Sequence, residues 1–140
     1  MKHRFLFCVV ILLLGNFWSY AQHKVAVTVY GVQSNAGNVC FAVYKTADNF
    51  LKDDSVYISG KEKASMGKVD FSINNLPEGK YAIAIFHDEN NNEKLDTNLL
   101  GIPKEKVAFS NAKMRTFGPP KFDDCAFSVN SYTEIRIEIN

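Results

Sequence analysis

The chain has 140 residues, 46% of them hydrophobic, with 16 Lys plus Arg against 15 Asp plus Glu. That length fits one small globular domain rather than several. A formal charge of +1, with no long run of either sign, leaves no electrostatic footprint for nucleic acid, which is therefore not an expected partner.

The first 21 residues read as a secretory signal peptide. Met1-Lys2-His3-Arg4 is basic, residues 5–14 are an unbroken apolar run, and a more polar stretch ends in Ser19-Tyr20-Ala21. Small residues at the third and first places before Gln22 set the cut between Ala21 and Gln22. The alternative is an uncleaved anchor, but this apolar run falls well short of the roughly 20 residues a span needs. Cys8 lies inside the run instead of at its end, which disfavours a lipid anchor. The expected mature domain is residues 22–140, periplasmic or extracellular, without a transmembrane span. Loss of Lys2 and Arg4 leaves 14 cations against 15 acids, a charge of −1. A domain of this size buries well over half of its unfolded surface and needs no metal or disulfide merely to fold.

Along the mature chain the dominant period is two. Val25, Val27 and Val29 alternate with Ala26, Thr28 and Tyr30, giving a first strand with one buried and one wet face. Residues 38–45 form the next strand candidate, residues 47–55 carry at most one short helical turn around Phe50 and Leu51, and residues 56–64 form a third strand. Val69, Phe71 and Ile73 then alternate with Asp70, Ser72 and Asn74. Residues 80–87 and 126–130 are further candidates, and Ile135, Ile137 and Ile139 alternate with Arg136 and Glu138 in the last. Turn residues separate them at 34–37, 66–67, 74–79 and 130–131. Seven short strands with one-sided alternation predict an all-β fold, an antiparallel β-sandwich.

Two cysteines remain after the cut, in a compartment that permits disulfides. Cys40 runs out of step with Val39, Phe41 and Val43, whereas Cys125 is in step with Phe127 and Val129. This phase puts them on different sides of one sheet and predicts buried free thiols, with a disulfide as the alternative.

Around residues 71–81 the pattern has its own logic. A strand ends at Asn74, Leu76 tucks under the turn, Pro77 fixes φ, and Tyr81 restarts the core face. The run Leu76-Pro77-Glu78-Gly79-Lys80-Tyr81 resembles the strand-turn-strand of transthyretin-like and carboxypeptidase-regulatory-like sandwiches, which supports the fold and carries no function.

The most informative stretch follows directly. Asp88, Asn90, Asn92, Lys94 and Asp96 stand at the first, third, fifth, seventh and ninth places of a loop, with Lys94 contributing its backbone carbonyl. Alternate oxygens can then turn toward one centre, as a hard cation such as Ca²⁺ requires. Two positions depart from a helix-loop-helix calcium loop: Glu93 replaces the sixth-place Gly, and Leu99 stands at the twelfth place where a bidentate Glu belongs. Asn91 or Asn92 can take the left-handed backbone, and Glu89, Glu93 or Glu105 could add a carboxylate. With two certain carboxylates the expected affinity is about 0.1 to 1 mM, as in extracellular modules. The alternative is an asparagine-rich hairpin held by side-chain to backbone bonds.

His87, in step with Tyr81, Ile83 and Ile85, is expected at the core-facing end of its strand, donating to Asp88 or a loop carbonyl. His23 sits at the frayed start of the mature chain. Residues 88–124 contain no convincing strand, long for a domain of this size; Leu99, Leu100, Ile102, Phe109, Phe117 and Phe122 predict that this excursion packs. Phe109, Phe117 and Phe122 fill a satellite core or cover a sheet edge, or else line a groove with Tyr30 for a glycan or peptide.

The ordered motifs His87-Asp88-x-Asn90-x-Asn92-x-x-Leu95-Asp96-Thr97-Asn98, Gly101-Ile102-Pro103-Lys104-Glu105, Phe109-Ser110-Asn111 and Phe117-Gly118-Pro119-Pro120-x-Phe122-x-Asp124 resemble an uncharacterised bacterial family of small exported proteins, domain of unknown function 2141. The resemblance spans residues 25–139. It implies a prealbumin-like or immunoglobulin-like sandwich in the bacterial envelope and no established activity. Glu93 stands where that family is expected to have Gly, and residues 106–109 replace a more usual aromatic-Gly-Phe run.

No Gly-x-Ser-x-Gly elbow, phosphate loop, Cys-x-x-Cys or His-Glu-x-x-His is present, so no catalytic residue is assigned. The expectation is a non-enzymatic envelope module with a Ca²⁺-stabilised loop, whose partner is an envelope protein or glycan. The alternative is a hydrolase of envelope carbohydrate or peptide using loop carboxylates such as Asp88 and Asp96.

Overall fold

The computed structural model describes residues 21–139; the expected signal peptide, save Ala21, lies outside them. Eight strands form two sheets. β1 (Gln22–Val32) lies between β4 (Gly67–Pro77) and β8 (Thr133–Glu138). The second sheet runs β3 (Ile58–Lys63), β2 (Asn38–Tyr44), β5 (Gly79–Asp88), β6 (Val107–Phe109), and β7 (Phe127–Val129) also pairs with β5. The chain is all-β and its two sheets face each other across one core, as the alternation predicts. One pairing departs from the antiparallel expectation: β1 and β8 are parallel, with Val27 beside Ile135 and Val29 beside Ile137. Periodicity sets which face a residue takes but is silent on the neighbour's direction.

The core follows the period of two. Val25, Val27, Val29, Val69, Ile73, Ile135 and Ile137 from one sheet meet Val39, Val43, Tyr81, Ile83 and Ile85 from the other, all buried. Each such side chain contributes about 1.5 to 3 kcal/mol by leaving water. Two bulges shift the phase. Asn75, at φ 61°, adds a residue to β4 between the pairs Val25–Ile73 and His23–Leu76, so Leu76 is fully buried three places after Ile73. Gly31, at φ 80°, does the same on β1, turning Val32 inward. Tyr81 then closes the β4–β5 corner: its ring is buried and its hydroxyl donates to the Pro77 carbonyl at 2.8 Å.

Phe41 and Phe71 stack across the two sheets, with centroids 4.3 Å apart and planes within 9°. Phe41 also lies over its partner Gly60, where a Cβ would stand 2.5 Å from the ring. A glycine in the middle of β3 therefore makes room for an aromatic neighbour rather than breaking the strand.

The expected strandless excursion is partly regular. β6 and β7 both run antiparallel to β5, opposite Ala84 to Phe86 and Gly79 to Tyr81 respectively. They are two pieces of one edge strand, parted by residues 110–126. Ser110 closes the gap. Its amide donates to Ile83 O, its Oγ accepts from Ile83 N at 2.9 Å, and the same hydroxyl donates to Cys125 O at 2.6 Å. The Asn111 side chain donates to Ala126 O at 3.0 Å.

That loop covers the outer face of the second sheet. Phe109 and Phe122 join Tyr44, Ala82 and Cys125 in a satellite core, with Phe50 packed on it from residues 47–52. Phe50 meets Phe122 edge-on at 5.9 Å and Tyr44 at 5.4 Å. The expected short helical turn is the 3-10 turn Asp53–Ser55. Packing of the whole excursion does not hold: Leu99, Leu100, Ile102 and Phe117 are exposed.

Cys40 and Cys125 are buried free thiols. Cys125 ends the short helix α1 (Phe122–Cys125), so its expected phase with Phe127 does not apply. The helical turn breaks the count of two, and Cys125 lies on the outer face of the sheet.

Candidate metal centre

β5 delivers Asp88 to the rim of the sandwich with its side chain fully buried. The chain then needs two left-handed residues to fold back, and Asn91 and Glu93 supply them at φ 61° each. Glu93 thus adopts the conformation that a calcium loop gives its sixth-place Gly. Asp88 fixes this turn with both oxygens, Oδ1 accepting from Asn92 N at 3.1 Å and Oδ2 from Glu93 N at 2.9 Å.

The other expected oxygen donors gather around the same turn. Asn90 Oδ1 accepts from Asn92 N at 3.0 Å, and Asn92 Oδ1 from Lys94 N at 2.8 Å. Asn90 and Asn92 each donate a side-chain amide to Asp96, at 2.6 and 3.1 Å. Lys94 is exposed, anchored by its amide. Asp88, Asn90, Asn92 and Asp96 therefore form one linked group, by the side-chain to backbone bonds of an asparagine-rich hairpin. Asn amide protons face Asp96 where a cation ligated by those residues would require oxygens, so a bound ion would need both amides turned over.

Glu105 completes the group from the segment that returns to β6. Its Oε2 accepts from Asp96 N at 3.0 Å, while its Oε1 is buried and outside ordinary hydrogen-bond geometry. Burial, then the negative charges of Asp88 and Asp96, push the Glu105 carboxyl above its ordinary range, and the backbone amides of Asp96 and Glu89 offset only part of this. An ionised Glu105 carboxylate, half buried beside two other acids, is a like-charge strain that a cation relieves. Among the described residues no three His, Cys, Asp or Glu side chains converge tightly enough to hold an ion by themselves, so amide or carbonyl oxygens would complete any shell. Glu89 and Glu93 turn elsewhere, to Ser34 at 2.7 Å and to Lys61.

The β1–β2 turn supports the group from beneath. A Cβ on Gly37, at φ +66°, would lie 1.7 Å from the Asp88 carbonyl oxygen, and Asn38 donates to Asn91 Oδ1 at 2.6 Å. Sequence reasoning marks residues 34–37 as a turn, but a backbone approach between residues 51 positions apart leaves no periodic trace. His87 is buried as expected, and of its two expected partners it meets a loop carbonyl, with Nε2 2.8 Å from Ala36 O, and not Asp88. A carbonyl only accepts, so Nε2 carries the proton. Nδ1 lies 3.9 Å from Glu89.

Asp88, buried with both oxygens on backbone amides, is arranged to hold a loop rather than to pass protons to a substrate. The aromatic residues make no common groove: Phe109 and Phe122 are in the satellite core, while Phe117 and the β1 residue Tyr30 are exposed.

Residues 27–136 match the family model described as an uncharacterized protein conserved in bacteria (DUF2141), and the chain belongs to that family. No curated protein and no solved structure matches the chain. Among the described residues no helix is long and apolar enough to cross a membrane.

Proposed function

We propose that this member of the DUF2141 family is an exported, non-enzymatic β-sandwich of the cell envelope, binding a protein or glycan there, whose β5–β6 loop is stabilised by Ca²⁺. The observation that carries the cation reading is the Glu105 carboxyl, raised by burial and by Asp88 and Asp96 beside it, with Oε1 buried and outside ordinary hydrogen-bond geometry. Asp88, Asn90, Asn92, Asp96 and the Lys94 carbonyl would supply the remaining oxygens. All are hard donors, suited to Ca²⁺ and not to a thiolate-seeking metal. The left-handed backbone at Glu93 supports the same reading, because it gives the loop the turn that alternate oxygens need.

The ion's role would be structural. It would neutralise three acids at the base of the β5–β6 connection and so fix the direction in which that hairpin leaves the sandwich. Export is supported by the basic start, the apolar run and the small residues before Gln22, at which β1 begins. Thermal melting with Ca²⁺ and with chelator tests the metal: the wild type should gain several degrees and Asp88→Ala should gain none. Mass spectrometry of the chain recovered from producing cells tests export, and should find Gln22 as the first residue.

A further inference from the structure

The loop between β6 and β7 holds a cleft of about 380 Å³, walled by Ala112, Lys113, Arg115, Pro120, Lys121 and Asp124. Its frame is fixed at both ends. Asn111, at φ 56°, donates its side-chain amide to Ala126 O, and the buried Pro120 and Phe122 seat the far wall, Phe122 in the satellite core. Between them the chain reverses at Gly118, whose φ is 81° and whose carbonyl accepts from Arg115 N at 3.2 Å. Lys121 N donates to Asp124 Oδ2 at 3.0 Å and Asp124 N to Lys121 O at 3.1 Å, which ties these two wall residues together. The backbone beneath the cations is therefore held before a ligand arrives, and binding is spared the cost of ordering it.

The charges on these walls are unbalanced. Lys113, Arg115 and Lys121 are exposed and make no ion pair among the described residues. The one acid of the lining is Asp124, so three cations less one carboxylate leave a formal charge of +2. Asp123, the neighbouring acid, lines a separate cleft with Lys80. A phosphate monoester, with a charge of about −1.5 to −2 at neutral pH, matches that excess. The guanidinium fork meets two phosphate oxygens at once, and the ammonium groups add point charges. Asp124 selects what carries the phosphate. Its Oδ2 takes the Lys121 amide, which leaves Oδ1 to accept from a ligand hydroxyl. The volume also exceeds what a bare phosphate needs, since small-molecule sites run from about 300 Å³ upward.

We infer that the β6–β7 cleft binds a phosphorylated sugar, with Lys113, Arg115 and Lys121 holding the phosphate and Asp124 accepting from a sugar hydroxyl. This rests on neither export nor the cation reading, and its test adds no divalent ion. The chain from Gln22, which holds every described strand and core residue, is titrated with glucose 6-phosphate, inorganic phosphate and glucose while its ¹H–¹⁵N NMR spectrum is followed. Glucose 6-phosphate should shift the amides of Lys113, Arg115 and Lys121 saturably, inorganic phosphate should shift the same amides more weakly, and glucose should shift none. Arg115→Gln should weaken binding about tenfold, the effect of one charge-assisted hydrogen bond, with an unchanged melting temperature because Arg115 is exposed. Asp124→Asn keeps an oxygen for the Lys121 amide and turns a donor to the ligand, so it should bind inorganic phosphate more tightly than wild type and lose the preference for the sugar phosphate. Flotation with vesicles of phosphatidylcholine and phosphatidic acid separates the other source of a monoester: the chain should stay unbound, and flotation abolished by Arg115→Gln would assign the cleft to a lipid headgroup and overturn the sugar. Amides that stay unmoved in glucose 6-phosphate overturn the inference, as does an Arg115→Gln variant that binds as well as wild type.

Discussion

The Asp88 carbonyl occupies the space where a side chain on the Gly37 Cα would stand, since a Cβ there would lie 1.7 Å from the Asp88 oxygen. This approach joins the β1–β2 turn to the candidate metal centre, and neither backbone can retreat without breaking the β2–β5 ladder at Asn38 and Asp88. Gly37→Ala should therefore destabilise by about 2 to 4 kcal/mol in chemical denaturation. Gly101→Ala, where φ is +76° but nothing lies within 4 Å, should cost only the left-handed strain of about 1 to 2 kcal/mol. Equal losses for the two would mean that the contact with Asp88 is unimportant.

Glu105 yields a pair of effects with opposite signs. Its carboxyl is raised in the folded state by burial and by Asp88 and Asp96, so its contribution favours folding at low pH and is lost as pH rises through the raised value. Without Ca²⁺ at neutral pH, Glu105→Gln should therefore raise the melting temperature. With Ca²⁺ the same variant should lose the ion-dependent gain, because an amide replaces the carboxylate. Calorimetry in chelator and in Ca²⁺ reads both, and a variant less stable than wild type in chelator would contradict the assignment.

Ser110 makes three hydrogen bonds in a site with no access to water, two of them through Oγ. Ser110→Ala leaves the Ile83 amide and the Cys125 carbonyl without that partner, at a cost of about 2 to 4 kcal/mol. The Ile83 amide should also exchange faster with deuterium. Unchanged exchange there would show that Ser110 does not join the two halves of the edge strand.

The cysteines make a further prediction. Burial, with Asp88 as the next cause, pushes the Cys40 thiol up to about 11, and burial, then Asp124, raises Cys125 to about 12. Thiolate is the reactive form, so neither should react with an alkylating reagent at mildly alkaline pH while the protein is folded. Labelling by mass spectrometry should find both modified only after denaturation. Rapid labelling of either in the folded chain would contradict its burial.

Much of the fold is legible in the sequence because its strands are one-sided. Val25, Val27 and Val29, and Ile135 and Ile137, face the core as their alternation requires. What alternation omits is partnership and interruption. It does not reveal that β1 and β8 are parallel, or that a single edge strand is split into β6 and β7 around a loop. It also misplaces Cys125, because four helical residues reset the phase. At the site, Asp88, Asn90, Asn92 and Asp96 come together as their spacing implies, since alternate residues of a tight loop share a side. Glu105 is visible only as a distant acid, and Gly37 not at all, because both reach the loop through tertiary pairing. Leu99, Leu100 and Ile102 mislead for another reason: apolar composition is the same for a residue that packs and for one held outward by an Asn98-capped turn.

The most direct measure of the cation reading is a ¹H–¹⁵N NMR titration of the chain from Gln22 with Ca²⁺. The account predicts one saturable site of about 0.1 to 1 mM, with shifts centred on the amides of Asn92, Glu93, Lys94 and Asp96 and absent in Glu105→Gln. Amides at those four positions that stay unmoved up to about ten times the weakest expected dissociation constant would contradict it, and would leave the loop as a hairpin held by its asparagines alone.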